Sequence, residues 1–320
     1  MSVGDAIGIL GTESGSQIRE LKAALENLGC KVLLIDPRKM TSSLPDKSIL
    51  YTADNNPGMI GSGRQNAAPT EAGFAVEAEQ TRLEGLKGLI VRSLPGGSLE
   101  QVIYRVNVLH YLEKLGVKVI NSASVIEKSV DKFYTTALLA KSGLPVPRTV
   151  VTENYMQAME AVEEIGSVVV KPIFGSLGKG IVRVDEPDTA HRVFKALELG
   201  RYVFYVQEYL ESGGEDFRIM VAGGKVIGAM RRRGEHWKTN ISHGARADKY
   251  QPEPEMIRLA LRTAEVLKAD YVGVDILVSG DKPYILEANS VPGWTGLQTV
   301  SDIDIAQILA EFFLQRIGVR

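Results

Sequence analysis

Two apolar segments in the last fifth of the chain each carry a carboxylate: Gly273-Val274-Asp275-Ile276-Leu277 and Ile285-Leu286-Glu287-Ala288-Asn289. Runs of this length and composition read as buried strands. An unpaired carboxylate inside such a strand is costly. The chain must therefore fold so that Asp275 and Glu287 find compensating charge. A divalent cation held by oxygen ligands is one solution, and with Asn289 adding a carboxamide the donor set suits magnesium bridging a nucleotide's phosphates. Strand-end ion pairs with nearby Lys or Arg are the other. These residues alone leave both open.

The bulk properties narrow the class. The 320 residues leave room for two or three domains and ample core. A net charge of -2 offers no overall basic field for nucleic acid. The single Cys30 excludes a disulfide framework and a cysteine-based metal site. His110, His191, His236 and His243 are too scattered to suggest a zinc site. No apolar run approaches the roughly 20 residues that span a bilayer. The chain opens on the strand pattern Ala6-Ile7-Gly8-Ile9-Leu10, without a signal core. The expectation is a cytoplasmic enzyme with no membrane partner.

Three regions are expected, 1–122, 123–206 and 207–320. The first alternates strands (Ala6–Leu10, Val32–Ile35, Gly88–Val91, Val117–Ile120) with helices, one ending at Gly29 and one, Leu99–Leu115, opened by the capping box Ser98/Gln101. That rhythm implies a parallel α/β sheet. An insert at about 52–82, rich in Asn, Gly and Pro, interrupts it. The second region holds a helix over Ser129–Ser142, a Pro-rich connector, a helix over Glu153–Ile165, the strands Ser167–Ile173 and Ile181–Val184, and a helix over Thr189–Leu199. The third reads as α+β, with strands Tyr202–Leu210, Phe217–Val221 and Val226–Met230, the carboxylate pair, and helices over Met256–Leu267 and Ile303–Ile317.

A glycine-rich turn, Phe174-Gly175-Ser176-Leu177-Gly178-Lys179-Gly180, joins two of those strands. It fits neither the P-loop nor the dinucleotide fingerprint. A hairpin loop of this kind can lie over phosphates and offer backbone N–H groups to them, or it can be a plain turn. Lys171 adds weight, because it ends the apolar run Val168-Val169-Val170, where a cation needs an anion. Lys132 is a second candidate cation; by itself it reads as a helix-surface lysine.

In order along the chain these blocks resemble the ATP-grasp superfamily, and within it the RimK-type amino-acid ligases. The blocks are Asp131-Lys132, Val170-Lys171-Pro172 with the glycine-rich turn, Gln207-Glu208-Tyr209-Leu210, Glu215-Asp216-Phe217-Arg218, Lys238-Thr239-Asn240, Gly273-Val274-Asp275-Ile276 and Glu287-Ala288-Asn289-Ser290-Val291-Pro292-Gly293. The resemblance implies a three-domain ATP-grasp architecture of α/β and α+β parts. It assigns Lys132, Lys171 and the turn residues Gly175, Ser176, Gly178 and Gly180 to the nucleotide phosphates. Glu208, Tyr209 and Leu210 fall to adenine, Asp216 to the ribose, and Lys238, Thr239 and Asn240 to the phosphates from the opposite side. Asp275, Glu287 and Asn289 become ligands of Mg2+ or Mn2+. It implies ATP-driven activation of a carboxylate as an acyl phosphate, followed by attack of an amine.

The basic group Arg231, Arg232 and Arg246 is read as binding phosphates, a carboxylate acceptor and glutamate, and the resemblance implies that one of its arginines faces the reacting carboxylate; a solvated basic run and a short nucleic-acid patch are the alternatives. Arg92, after the third strand, lies at the carboxyl edge of the parallel sheet, where ligands of open α/β sheets gather. Trp237 and Trp294 could pack a flat ring, though Trp more often packs in a core or lid. The segments Asn289-Ser290-Val291-Pro292-Gly293-Trp294-Thr295-Gly296-Leu297-Gln298 and Gly96-Gly97-Ser98-Leu99-Glu100-Gln101 look like small-molecule glutamate ligases of the tetrahydromethanopterin:α-L-glutamate ligase kind. The expected partners are L-glutamate and a small carboxylate acceptor, with a homo-oligomer possible in the family. The alternatives are glutamylation of a ribosomal-protein tail or a carrier protein, and an ATP-binding regulatory module without catalysis.

Overall fold

The computed structural model describes residues 5–44, 75–79, 81–175, 178–234, 237 and 244–319. They form two compact units, 5–123 with 317–319, and 124–316.

The first unit contains β1 (Ala6–Leu10), α1 (Ser16–Asn27), β2 (Lys31–Ile35), β3 (Met40–Ser43), β4 (Ala75–Ala78), β5 (Thr81–Arg82), β6 (Gly88–Val91), α2 (Leu99–Lys114) and β7 (Lys118–Ile120). Four strands pair in the order β2-β1-β6-β7, every pair parallel. Ile18, Leu21 and Leu25 of α1 are buried, as their spacing requires of an amphipathic helix. Both halves of the α2 capping box form: the Gln101 N–H donates to Ser98 Oγ at 3.3 Å and the Ser98 N–H donates to Gln101 Oε1 at 3.1 Å. Arg92 is buried at the end of β6 and its guanidinium donates to Gln17 of α1 at 3.0 Å. A small antiparallel sheet, β3-β4-β5, was not foreseen. Two of its strands come from the expected insert; residues 52–74 and 80 of that insert lie outside the described residues.

The second unit contains α3 (Ala123–Val130), α4 (Lys132–Lys141), β8 (Thr149–Thr152), α5 (Tyr155–Ile165), β9 (Val168–Lys171), β10 (Val182–Val184), α6 (Pro187–Leu199), β11 (Phe204–Glu208), β12 (Glu215–Ala222), β13 (Lys225–Arg233), β14 (Arg246–Lys249), α7 (Pro254–Leu267), β15 (Tyr271–Ser279), β16 (Lys282–Asn289), the single turn α8 (Thr295–Gln298) and α9 (Ile305–Ile317). The helix expected over Ser129–Ser142 is two helices. Asp131 breaks it, because its carboxylate caps α4 by accepting from the Tyr134 N–H at 2.9 Å. The expected division at 206/207 falls inside β11, which pairs with both β8 and β9.

Two antiparallel sheets organise this unit. In β10-β9-β11-β8, Val168, Val170, Phe204 and Val206 pack against Ala158, Ala161 and Val162 of α5 and Phe194 of α6. In β14-β13-β12-β15-β16, Ile219, Val274, Ile276 and Ile285 pack against Leu259, Ala260 and Leu267 of α7. Each such large apolar side chain contributes about 1.5–3 kcal/mol by leaving water. The strand period of two then sends Val169, Lys171, Tyr205 and Gln207 to the uncovered face of the first sheet. It sends Asp216, Arg218, Arg232, Asp275 and Glu287 to one face of the second.

Candidate active site

Those two faces line an open cleft with a cavity volume of about 110 Å3. Its polar lining is Lys132, Lys171, Gln207, Glu208, Asp216, Arg232, Asp275 and Glu287; its apolar lining includes Val169, Ile181, Leu210, Leu277 and Leu286. A β-bulge shapes one wall. Asp275 pairs with Glu287 but Ile276 pairs with Ile285, so Leu286 is an extra residue. The chain neighbours Leu286 and Glu287 therefore both reach the cleft, which strict alternation would forbid. Asn289 follows two residues on, across from Gly273 and on the same face as Glu287.

The cationic side is built from two lysines. Lys132 is the first residue of α4, and its ammonium donates to the Gly175 carbonyl at 2.6 Å, tying the glycine-rich turn to that helix. Lys171 donates to Gln207 Oε1 at 2.6 Å. The Gln207 amide in turn donates to Thr149 Oγ1 at 3.0 Å and to the Tyr205 hydroxyl at 3.2 Å, and Tyr205 meets Thr136 at 3.0 Å. The buried Gln207 thus fixes Lys171 by a fully bonded amide. Burial pushes the Lys171 ammonium down to about 8; the Lys132 charge adds to this and Glu287 opposes it. Burial also lowers Lys132, against the pull of Glu287 and Asp131.

The anionic side is asymmetric. Arg218 makes two parallel bonds to Asp275, both at 2.7 Å. Arg232 makes two to Asp216, at 2.6 and 2.5 Å, and reaches Asp275 at 3.1 Å. Burial alone would raise Asp275, but these two guanidiniums outweigh it and hold the carboxyl at about 2. Glu287 is the opposite case. Burial and the Asp275 charge raise it, only partly offset by Lys132, Lys171 and Arg218. Among the described residues no side chain hydrogen-bonds it.

Arg231 and Arg246 do not line this cleft. Neighbouring strand residues face opposite sides, so Arg231 projects away from the Arg232 face, and it pairs across to Asp248 and diagonally to Glu215, each at 3.8 Å. Arg246 lies opposite Arg233 on that same far face and is exposed. The glycine-rich turn keeps left-handed glycines at Gly178 and Gly180. Ser176, Lys238, Thr239 and Asn240 lie outside the described residues. Trp237 lines the cleft, edge-on to Tyr209 at 6.2 Å between ring centroids, whereas Trp294 is fully buried. Arg183 stacks on the other contact of that ring, its guanidinium carbon 3.7 Å from the Tyr209 centroid.

The roles of Arg218 and Gln207 were not foreseen from the sequence. Each had a signal: a charged or amide residue two positions from another in an apolar strand shares its face. Among the described residues no three His, Cys, Asp or Glu side chains converge on a metal cage. Two carboxylates and one carboxamide fit a magnesium ion that takes its remaining ligands from water and phosphate. The only partly compensated Glu287 is the group such an ion would satisfy.

A model of the RimK-like ATP-grasp domain matches residues 129–313. The chain belongs to the RimK-like ATP-grasp family. It is 35% identical over 249 residues to the tetrahydromethanopterin:alpha-L-glutamate ligase of Methanocaldococcus jannaschii, covering 76% of this chain and 84% of that one. With the protein of the same name from Methanococcus maripaludis the identity is 31% over 311 residues, covering 95% and 96%. The structure of the ATP-grasp ligase PsnB complexed with minimal precursor, Mg and ADP has the same fold, with a TM-score of 0.70 at 20% identity over 98% of each chain. By membership the protein is an ATP-grasp ligase. Among the described residues of this family member no helix is long and apolar enough to cross a membrane.

Proposed function

We propose that the protein is an ATP-dependent carboxylate–amine ligase that joins L-glutamate to a carboxylate of a small, pterin-like cofactor. The observation that carries this reading is the single cleft in which an apolar slot, two lysines and the Asp275–Glu287 pair meet. Val169, Ile181, Leu210, Leu277 and Leu286 suit a flat adenine. Asp216 suits ribose hydroxyls. Lys132 and Lys171 suit the phosphates, and Asp275, Glu287 and Asn289 would hold magnesium. Bound there, magnesium supplies charge neutralisation of the transferring phosphoryl group.

The protein's own residues set up two steps. In the first, an acceptor carboxylate oxygen attacks the γ-phosphorus of ATP, the bond to the β-phosphate oxygen breaks, and ADP leaves. Lys132 and Lys171 stabilise the charge that builds up. In the second, the amine of glutamate attacks the acyl carbon, phosphate leaves, and the amine loses a proton to give the amide. The glycine-rich turn between β9 and β10, anchored through Lys132, shields the acyl phosphate from water. Glutamate as donor and a small acceptor rest on the likeness to the tetrahydromethanopterin:alpha-L-glutamate ligases of the two relatives.

The test is mass spectrometry of candidate acceptors after incubation with ATP, magnesium and each amino acid in turn. Pterin, deazaflavin and furan carboxylates are tried beside a ribosomal-protein tail peptide. Glutamate added to a small acceptor is the expected result. Addition of lysine or alanine but not glutamate refutes the donor; glutamylation of the peptide with every cofactor inert selects a protein-modifying ligase.

A further inference from the structure

Both oxygens of Asp275 are already occupied by the protein. Arg218, directly across on β12, bonds to Oδ1 and Oδ2 at 2.7 Å each, and Arg232 reaches Oδ2 at 3.1 Å. The two guanidiniums are not equivalent. Arg232 is clamped a second time by Asp216, and its side chain is 4% exposed. Arg218 has Asp275 as its one ion-pair partner among the described residues, and its side chain is 17% exposed. A cation that takes Asp275 together with Glu287 competes with these donors for the carboxylate and repels their charge. The doubly anchored Arg232 keeps Asp216, so Arg218 is the group that leaves. Glu287, the other carboxylate within its electrostatic reach, is neutralised by the same cation.

Resting on the magnesium–nucleotide reading above, we propose that a divalent cation and Arg218 compete for Asp275, and that cation loading releases Arg218 as an anion-binding fork. A planar guanidinium suits the two oxygens of a carboxylate or a phosphate. Until the metal arrives, that fork is satisfied internally and Arg218 does not collect an anion. The order of loading follows: metal and nucleotide first, the anionic group after.

Calorimetric titration tests it. Magnesium is titrated into the ADP-loaded protein, and inorganic phosphate is then titrated with and without magnesium. Arg218→Gln is expected to bind magnesium about tenfold more tightly, since a competing charge-assisted contact is gone. Wild type is expected to bind phosphate when magnesium is present, and Arg218→Gln to lose that binding about tenfold. Arg218→Lys, which keeps the charge without the fork, should recover part of it and guards against a folding artefact. Were Arg218 merely a brace that holds Asp275 for the metal, the Gln variant would bind magnesium more weakly, and the proposal falls. It falls equally if wild type takes phosphate as well without magnesium as with it. An ADP-loaded wild type that takes up no magnesium removes the underlying nucleotide reading as well, which separates the two failures.

Discussion

Lys171 and Glu287 face each other's charge but carry opposite penalties. Lys171 is pushed down to about 8, so above that pH the free protein holds it neutral. A polyphosphate favours the charged form, and nucleotide binding must then take up a proton. ADP affinity is expected to fall as pH rises past 8, by up to about tenfold per pH unit. Lys171→Arg keeps its charge at every accessible pH and should flatten the profile. Titration of ADP between neutral and alkaline pH decides the point; a flat wild-type curve sinks it. For Glu287, burial raises the carboxyl, so its ionised form costs stability when no metal is bound. Glu287→Gln removes that cost without changing shape. The metal-free variant should melt no lower than wild type, while magnesium-dependent ATP turnover drops by about two orders of magnitude or more. A variant that melts well below wild type, or turns over at its rate, contradicts this.

The element that most directly joins structure to turnover is the turn between β9 and β10. Gly178 sits at φ +70, where a β-branched side chain is strained. Gly178→Val is expected to cost about 1–2 kcal/mol locally and to impair amide formation more than ADP binding. Phosphate release without product would report leakage of the acyl phosphate to water; unchanged affinity and ligation would reduce the loop to a simple turn. The elements carrying Asp275, Glu287 and Lys171 were legible because each charge interrupts an apolar run. The faces were less so. Arg231, Arg232 and Arg233 look like one basic group in chain order, yet the strand period divides them, and only Arg232 reaches the cleft. Strand β14, Arg-Ala-Asp-Lys, carries no apolar pattern and is a strand only because β13 pairs with it. Strand β8 was hidden in a short Thr-Val-Val-Thr run after Pro147. The Asp131 break was readable as a capping residue but lay within a continuous helical pattern.

At the scale of the molecule, every cleft-lining residue belongs to 124–316. Ligand that binds only the folded state stabilises that unit by about 2.7 kcal/mol at a hundredfold excess over Kd. Hydrogen exchange with and without magnesium and ADP is expected to show slowed exchange in β9, β11, β15 and β16. Slowing confined to β1, β2, β6 and β7 of the first unit would place the ligand elsewhere.

The first unit also has a late component. Ile317 lies so close to Gly88 of β6 that a Cβ built on that glycine would sit 2.7 Å from the isoleucine's Cδ1. The whole of the second unit is translated between the two. In chain order, β6 and its partner β1 are complete long before the residue that covers Gly88. The surface over Gly88 is thus completed by a residue from the far end of the chain, and a fragment that stops at residue 123 lacks it.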